Sequence, residues 1–119
     1  MKVVSLRQVR VGDLIAKSIA ELLQRKIKDP RLEGVTITGA QVSMDMRVGQ
    51  VFFCVLDRDR KEGAQAGLDS AAGYMRRELG RMLRLKHVPS LRFSYDASFD
   101  YGARIDELLE NITDHTHDE

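Results

Sequence analysis

Apolar residues return every three or four positions across about residues 5–27. Val11, Ile15, Ile19, Leu22 and Leu23 form one stripe and predict a first helix. Gly12 interrupts it at a cost of about 1 kcal/mol relative to Ala, so the first regular turn is expected at Asp13. The helix must end before Pro30, because the residue preceding a proline avoids the α region. Alternation then takes over. Val35-Thr36-Ile37-Thr38 is β-branched throughout, and the apolar phase shifts between Ile37 and Val42, with Gly39 between them. That shift predicts a bulge. After a turn over residues 44–49, the nearly unbroken apolar run Val51-Phe52-Phe53-Cys54-Val55-Leu56 predicts a central strand in an antiparallel hairpin with the first.

Helical spacing resumes at about residues 64–86, with Leu68, Ala72, Met75, Leu79, Met82, Leu83 and Leu85 on one stripe. Gly73 falls in the middle, and a break is expected there. Leu91, Phe93 and Tyr95 alternate with polar residues as a third strand after Pro89. Tyr101, Ile105, Leu108, Leu109 and Ile112 predict a short last helix, and residues 113–119 read as an acidic, flexible tail. The order helix, strand, strand, broken helix, strand, helix predicts a single two-layer α+β domain over residues 1–112, with helices on one face of a three-stranded sheet.

Composition narrows the classes. A chain of 119 residues buries about two-thirds of its unfolded surface, so it needs no disulfide or metal staple. No apolar run approaches the ~20 residues of a membrane helix, and the N-terminus lacks the apolar stretch of a signal peptide. A cytoplasmic protein is expected. Cys54 is the single cysteine, so neither a disulfide nor a cysteine-based metal site is expected. No nucleophile elbow or phosphate-cradling glycine run is present, and no enzyme activity or cofactor is expected.

Net charge is +1, but its distribution is uneven. Residues 1–92 hold 18 of the 19 Lys+Arg and 10 of the 18 Asp+Glu, a surplus of +8. Residues 93–119 hold Arg104 against eight acids, or −7. A basic body with an acidic end points to a polyanion partner. Arg76, Arg77, Arg81, Arg84 and Lys86 follow Gly73 with Glu78 as the one acid among them. Like charges at helical spacing repel by a few tenths of a kcal/mol each, a cost that phosphates would offset. Arg7, Arg10, Arg25, Lys26, Lys28 and Arg31 form a second basic set around the first helix and its exit.

Several stretches in this order carry a resemblance. They include Lys28-Asp29-Pro30-Arg31, Val42-Ser43-Met44-Asp45, Ala72-Gly73-Tyr74-Met75-Arg76-Arg77-Glu78-Leu79, and the run from Leu83 through Val88-Pro89 to Phe93. Together with Asp96-Ala97-Ser98, Gly102 and Ile105, the chain resembles the ribosome-binding factor A family from about Leu6 to Leu109. The resemblance implies a KH-like fold of the type II arrangement. It implies a kink at Ala71-Ala72-Gly73 in place of the Gly-x-x-Gly loop with which most KH domains clamp a nucleic-acid backbone. It also implies a non-enzymatic, monomeric factor that binds the 30S subunit and its 16S rRNA, assists late rRNA maturation and supports growth in the cold. The RNA-binding residues expected are Arg76, Arg77, Arg81, Arg84 and Lys86, then Lys26, Lys28 and Arg31, with Arg7 and Arg10 in support. The alternative is a generic KH-like module acting on non-ribosomal RNA.

Overall fold

A computed structural model describes residues 4–98. Helix α1 spans Leu6–Arg25. Ser5 caps it: its hydroxyl accepts from the Gln8 N–H, and the Gln8 side chain accepts from the Ser5 N–H. Strands β1 (Val35–Val42) and β2 (Val48–Val55) form the expected antiparallel hairpin. The pairing slips between Ile37 and Gly39, leaving Thr38 as the extra residue of the expected bulge. Helix α2 spans Lys61–Leu83, and strand β3 spans Ser90–Tyr95.

The sheet order is β1-β2-β3, with β3 parallel to β2. A parallel neighbour requires a crossover, which α2 provides. Both helices lie on one face. Ile15, Ile19 and Leu22 of α1 and Leu68, Met75 and Leu79 of α2 share one core with Val51, Phe53, Val55 and Phe93. This is the two-layer α+β fold read from the pattern. Met82, placed on the apolar stripe by its spacing, is exposed. The predicted last helix, the tail 113–119 and residues Gly102 and Ile105 lie outside the described residues.

Two glycine readings change. Helix α1 starts at Leu6, well before Asp13, and Gly12 sits inside it. The reason is tertiary: a Cβ on Gly12 would lie 2.6 Å from the Ala40 carbonyl oxygen. Only glycine lets α1 settle this close to β1. The Gln8 side-chain amide donates to the Val42 carbonyl on the same edge at 3.0 Å. On the opposite edge, Gln65 of α2 donates to the Phe93 carbonyl at 2.9 Å. Side chains of both helices therefore cap sheet edges that would otherwise invite strand pairing.

The second change concerns Ala71-Ala72-Gly73. The expected break into two helices does not occur; the helical run is continuous from Lys61 to Leu83. A single glycine weakens a helix by about 1 kcal/mol. Burial of Leu68 on one side of Gly73 and of Met75 and Leu79 on the other holds the helix through it. Gly73 itself is exposed, and a Cβ there would meet only the Arg77 guanidinium, at 3.8 Å. The two glycines should respond oppositely to alanine in urea unfolding. Gly12→Ala is expected to lose about 1–3 kcal/mol through overpacking. Gly73→Ala is expected to gain about 0.5–1 kcal/mol.

Candidate nucleic-acid interface

All ten basic residues expected at the site are exposed, but they do not form one surface. Helix α1 has 20 residues and is therefore about 30 Å long. Arg7 and Arg10 sit in its first turns, while Lys26, Lys28 and Arg31 follow its end. The basic set assigned to this helix is thus divided between opposite ends of the molecule. Contacts at each end orient the rest. Gly49, at the start of β2, faces Ile15 of α1 and Pro89 before β3. Gly80 of α2 faces Val88. Gly67, earlier in α2, faces Asp29, Arg31 and Leu32. Helix α2 therefore runs antiparallel to α1, and its basic C-terminal half lies at the same end as Arg7 and Arg10.

This first end is the more cationic. Helix α2 closes at Arg84, whose backbone is left-handed at φ 50°. Such a residue without glycine's freedom costs about 1–2 kcal/mol. The chain then folds back so that Val88 lies against Gly80. Arg76 fastens this return: its Nε and Nη2 both donate to the Val88 carbonyl, at 3.2 and 3.1 Å. Arg76 is thus turned toward the protein, where it shapes the loop that carries Lys86 and His87. The result is a shallow pocket lined by Arg76, Arg77, Gly80, Lys86, His87 and Val88. Arg81 lies 3.8 Å from Glu78, an exposed pair that contributes little and leaves Arg81 able to exchange partners.

The topology adds a cation that periodicity did not single out. Arg47, in the β1–β2 turn, is joined to the start of β3 by a bond from the Ser90 N–H to its carbonyl, 2.8 Å. Its side chain is exposed at the same end, 4.0 Å from the exposed Asp45 carboxylate. A lone arginine in a turn carries no signal of its own; only the parallel β2–β3 register reveals where it sits.

The opposite end is nearly balanced. Arg25, Lys26, Lys28, Arg31, Arg58, Arg60 and Lys61 are interleaved there with Glu21, Asp29, Glu33, Asp57, Asp59 and Glu62. Several of these cations have structural partners. The Asp29 carboxylate accepts from the Arg31 backbone N–H at 3.0 Å, and the Arg31 Nε and Nη2 grip it at 2.8–3.1 Å. Arg60 Nη2 donates to the Pro30 carbonyl at 2.7 Å. Lys61 lies over the Tyr95 ring, 4.5 Å from its centre. Arg31 therefore holds a turn, and Lys26 and Lys28 sit among acids.

The described residues contain no three-residue His/Cys/Asp/Glu group able to hold a metal ion, and no helix long and apolar enough to cross a membrane. Cys54 is buried. A family model described as ribosome-binding factor A matches residues 7–109. The chain belongs to the ribosome-binding factor A family. It is 41% identical over 117 residues to ribosome-binding factor A of Pelobacter propionicus, covering 97% of this chain and 96% of that one. The protein of the same name from Syntrophobacter fumaroxidans is 44% identical over 109 residues, covering 89% and 93%. Among solved structures, the crystal structure of ribosome-binding factor A from Thermus thermophilus matches with a TM-score of 0.68 at 26% identity. That match covers 74% of this chain and 93% of that one. A homology model of the Thermus thermophilus factor, fitted into a cryo-electron microscopy map of a 30S complex, matches with a TM-score of 0.60 at 28% identity. It covers 69% and 87%. The family's ribosome-binding factors thus share the fold that gathers these cations.

The Asp29 turn makes a pH prediction. Its hydrogen bonds to the Arg31 side chain, then to the Arg31 N–H, hold the Asp29 carboxyl below its ordinary range. A depressed carboxylate stabilises the fold above the unfolded pKa of about 3.9, and this contribution is lost as pH falls through the lower folded value. In urea midpoints from pH 7 to pH 2, Asp29→Asn is expected to be the less stable protein at neutral pH. Its deficit is expected to shrink below about pH 4.

Proposed function

We propose that this chain binds the small ribosomal (30S) subunit through the cationic end built by the C-terminal half of α2, the loop to β3 and the β1–β2 turn. There it assists late maturation of 16S rRNA. The observation that carries this reading is the segregation of charge: Arg77, Arg81, Arg84, Lys86 and Arg47 share one end with few acids, whereas the other end is balanced. Membership of the family and the likeness to a factor fitted into a 30S complex support the ribosome as the source of that phosphate. Phosphate contacts fix position and supply most of the affinity. Arg76 acts through the loop it holds, and Lys26, Lys28 and Arg31 stand outside the main contact. The factor acts as a cytoplasmic monomer and without catalysis; its work is to occupy and shape a folded RNA surface, read mainly by shape.

Co-sedimentation with purified small subunits across a salt series tests this, with large subunits as the control. Five phosphate contacts correspond to a slope of log K against log salt of about −3.5 to −4.5. Arg77→Ala and Arg84→Ala are each expected to reduce its magnitude by about 0.7–0.9. Gly73→Val, beside Arg77, is expected to weaken binding in a folded protein. Equal binding to both subunits would favour a generic RNA-binding module, and a flat salt dependence would refute the cationic-end reading.

A further inference from the structure

The β1–β2 turn carries more than the charge of Arg47. At its tip Met44 is 83% exposed. An exposed methionine alone is ordinary, but three features of this turn are not. First, the turn is preformed. The Ser43 hydroxyl donates to Asp45 at 2.7 Å and accepts from the Val48 N–H at 3.0 Å. Asp45 also accepts from the Arg47 N–H at 3.1 Å, and the Met46 N–H donates to the Ser43 carbonyl at 2.9 Å. A turn held this way has little conformational freedom left to lose on binding.

Second, the two methionines face opposite ways. Met46 adopts a left-handed backbone, φ 61°, and packs against the core. A β-carbon-bearing residue takes that conformation at a cost. The same twist that sends Met46 inward leaves Met44 projecting. Third, the turn presents a cation beside Met44. The Arg47 side chain is 85% exposed and lies 4.0 Å from the Asp45 carboxylate, an exposed pair that contributes little and leaves Arg47 able to turn to a phosphate. Its carbonyl ties the turn to the start of β3, beyond the loop that bears Lys86.

We propose that this turn inserts into the RNA, with Met44 lying against the face of an unstacked base and Arg47 meeting an adjoining phosphate. The inference rests on the small-subunit reading given above. An apolar, polarisable side chain beside a cation fits a nucleotide, which offers an aromatic face and an anion within a few ångströms of each other. Single-stranded or bulged RNA exposes such faces. A protein partner at this place would have to tolerate the surrounding positive charge.

The test places a diazirine amino acid at position 44 and, in a separate protein, at position 77, each mixed with small subunits and irradiated. Cross-links from both positions to rRNA support the insertion. A cross-link from position 44 to a ribosomal protein, or none from it while position 77 labels rRNA, overturns the insertion and leaves small-subunit binding standing. Failure of both positions to label rRNA, with no co-sedimentation, overturns both. As an independent readout, Met44→Ser is expected to weaken binding about three- to tenfold. Its salt slope should be unchanged, because no charge is removed, and Met44→Leu should stay near the parent. Arg47→Ala should instead reduce the magnitude of the slope by about 0.7–0.9. Unchanged affinity in a folded Met44→Ser protein overturns the proposal.

Discussion

The cationic end owes its position to a contact at the other end of α2. There Gly67 lies where a Cβ would stand 2.9 Å from Leu32 Cδ2 and 3.3 Å from both the Arg31 Cβ and an Asp29 carboxylate oxygen. A Cβ there would push the buried Leu32 methyl group aside and crowd Arg31 and Asp29, so glycine suits this close seating. The turn is itself stiff, closed by the Asp29–Arg31 grip and by Arg60 on the Pro30 carbonyl. From this seat α2 projects rigidly across the sheet to the place where Arg77, Arg81 and Arg84 are presented. A shift at Gly67 is carried along some ~15 Å of helix before it reaches the first of them. The residues that hold the surface and the residues that are the surface are therefore different and far apart.

This separation explains how one small domain carries two sets of cations with different duties. Charges more than about 8 Å apart are largely screened from one another at physiological salt. The two ends, separated by about the 30 Å length of α1, are electrostatically independent. At one end arginine is used for its fork: Arg31 grips a carboxylate and Arg60 reaches a carbonyl. At the other, Arg76 is used that way, on the Val88 carbonyl, while Arg81 and Arg47 make only exposed pairs with Glu78 and Asp45 at 3.8 and 4.0 Å. The neighbours of Arg76 keep their charge in solvent, which folding alone does not reward.

Much of this was legible in the chain. The slip in apolar phase around Gly39 located the bulge because register errors leave a trace in alternation itself. The basic half of α2 was visible as a ridge because a helix turns sequence spacing directly into direction. Besides the place of Arg47, three things were not visible. Gly12 reads as a weak point in a helix, since its reason, the Ala40 carbonyl, lies on another element. Gly73 reads as a break, since local propensity does not register the buried side chains on either side. Arg31 and Arg76 read as free cations, since nothing in their spacing says that a carboxylate or a carbonyl waits for their guanidinium groups. In each case the missing fact was a contact that spacing along the chain does not encode.

The parallel pairing of β3 with β2 has a consequence for how the protein is made. It joins Val48 to Ser90, so its closure waits for all of α2 to be synthesised. Helix α1 and the β1–β2 hairpin draw on neighbours in sequence, whereas contacts between distant segments carry a larger loop-closure cost. The bond between the Ser90 N–H and the Arg47 carbonyl spans such a separation. A growing chain that has not released its third strand thus carries the arginines without the surface. The cationic end is therefore complete only when β3, the last strand among the described residues, has paired with β2.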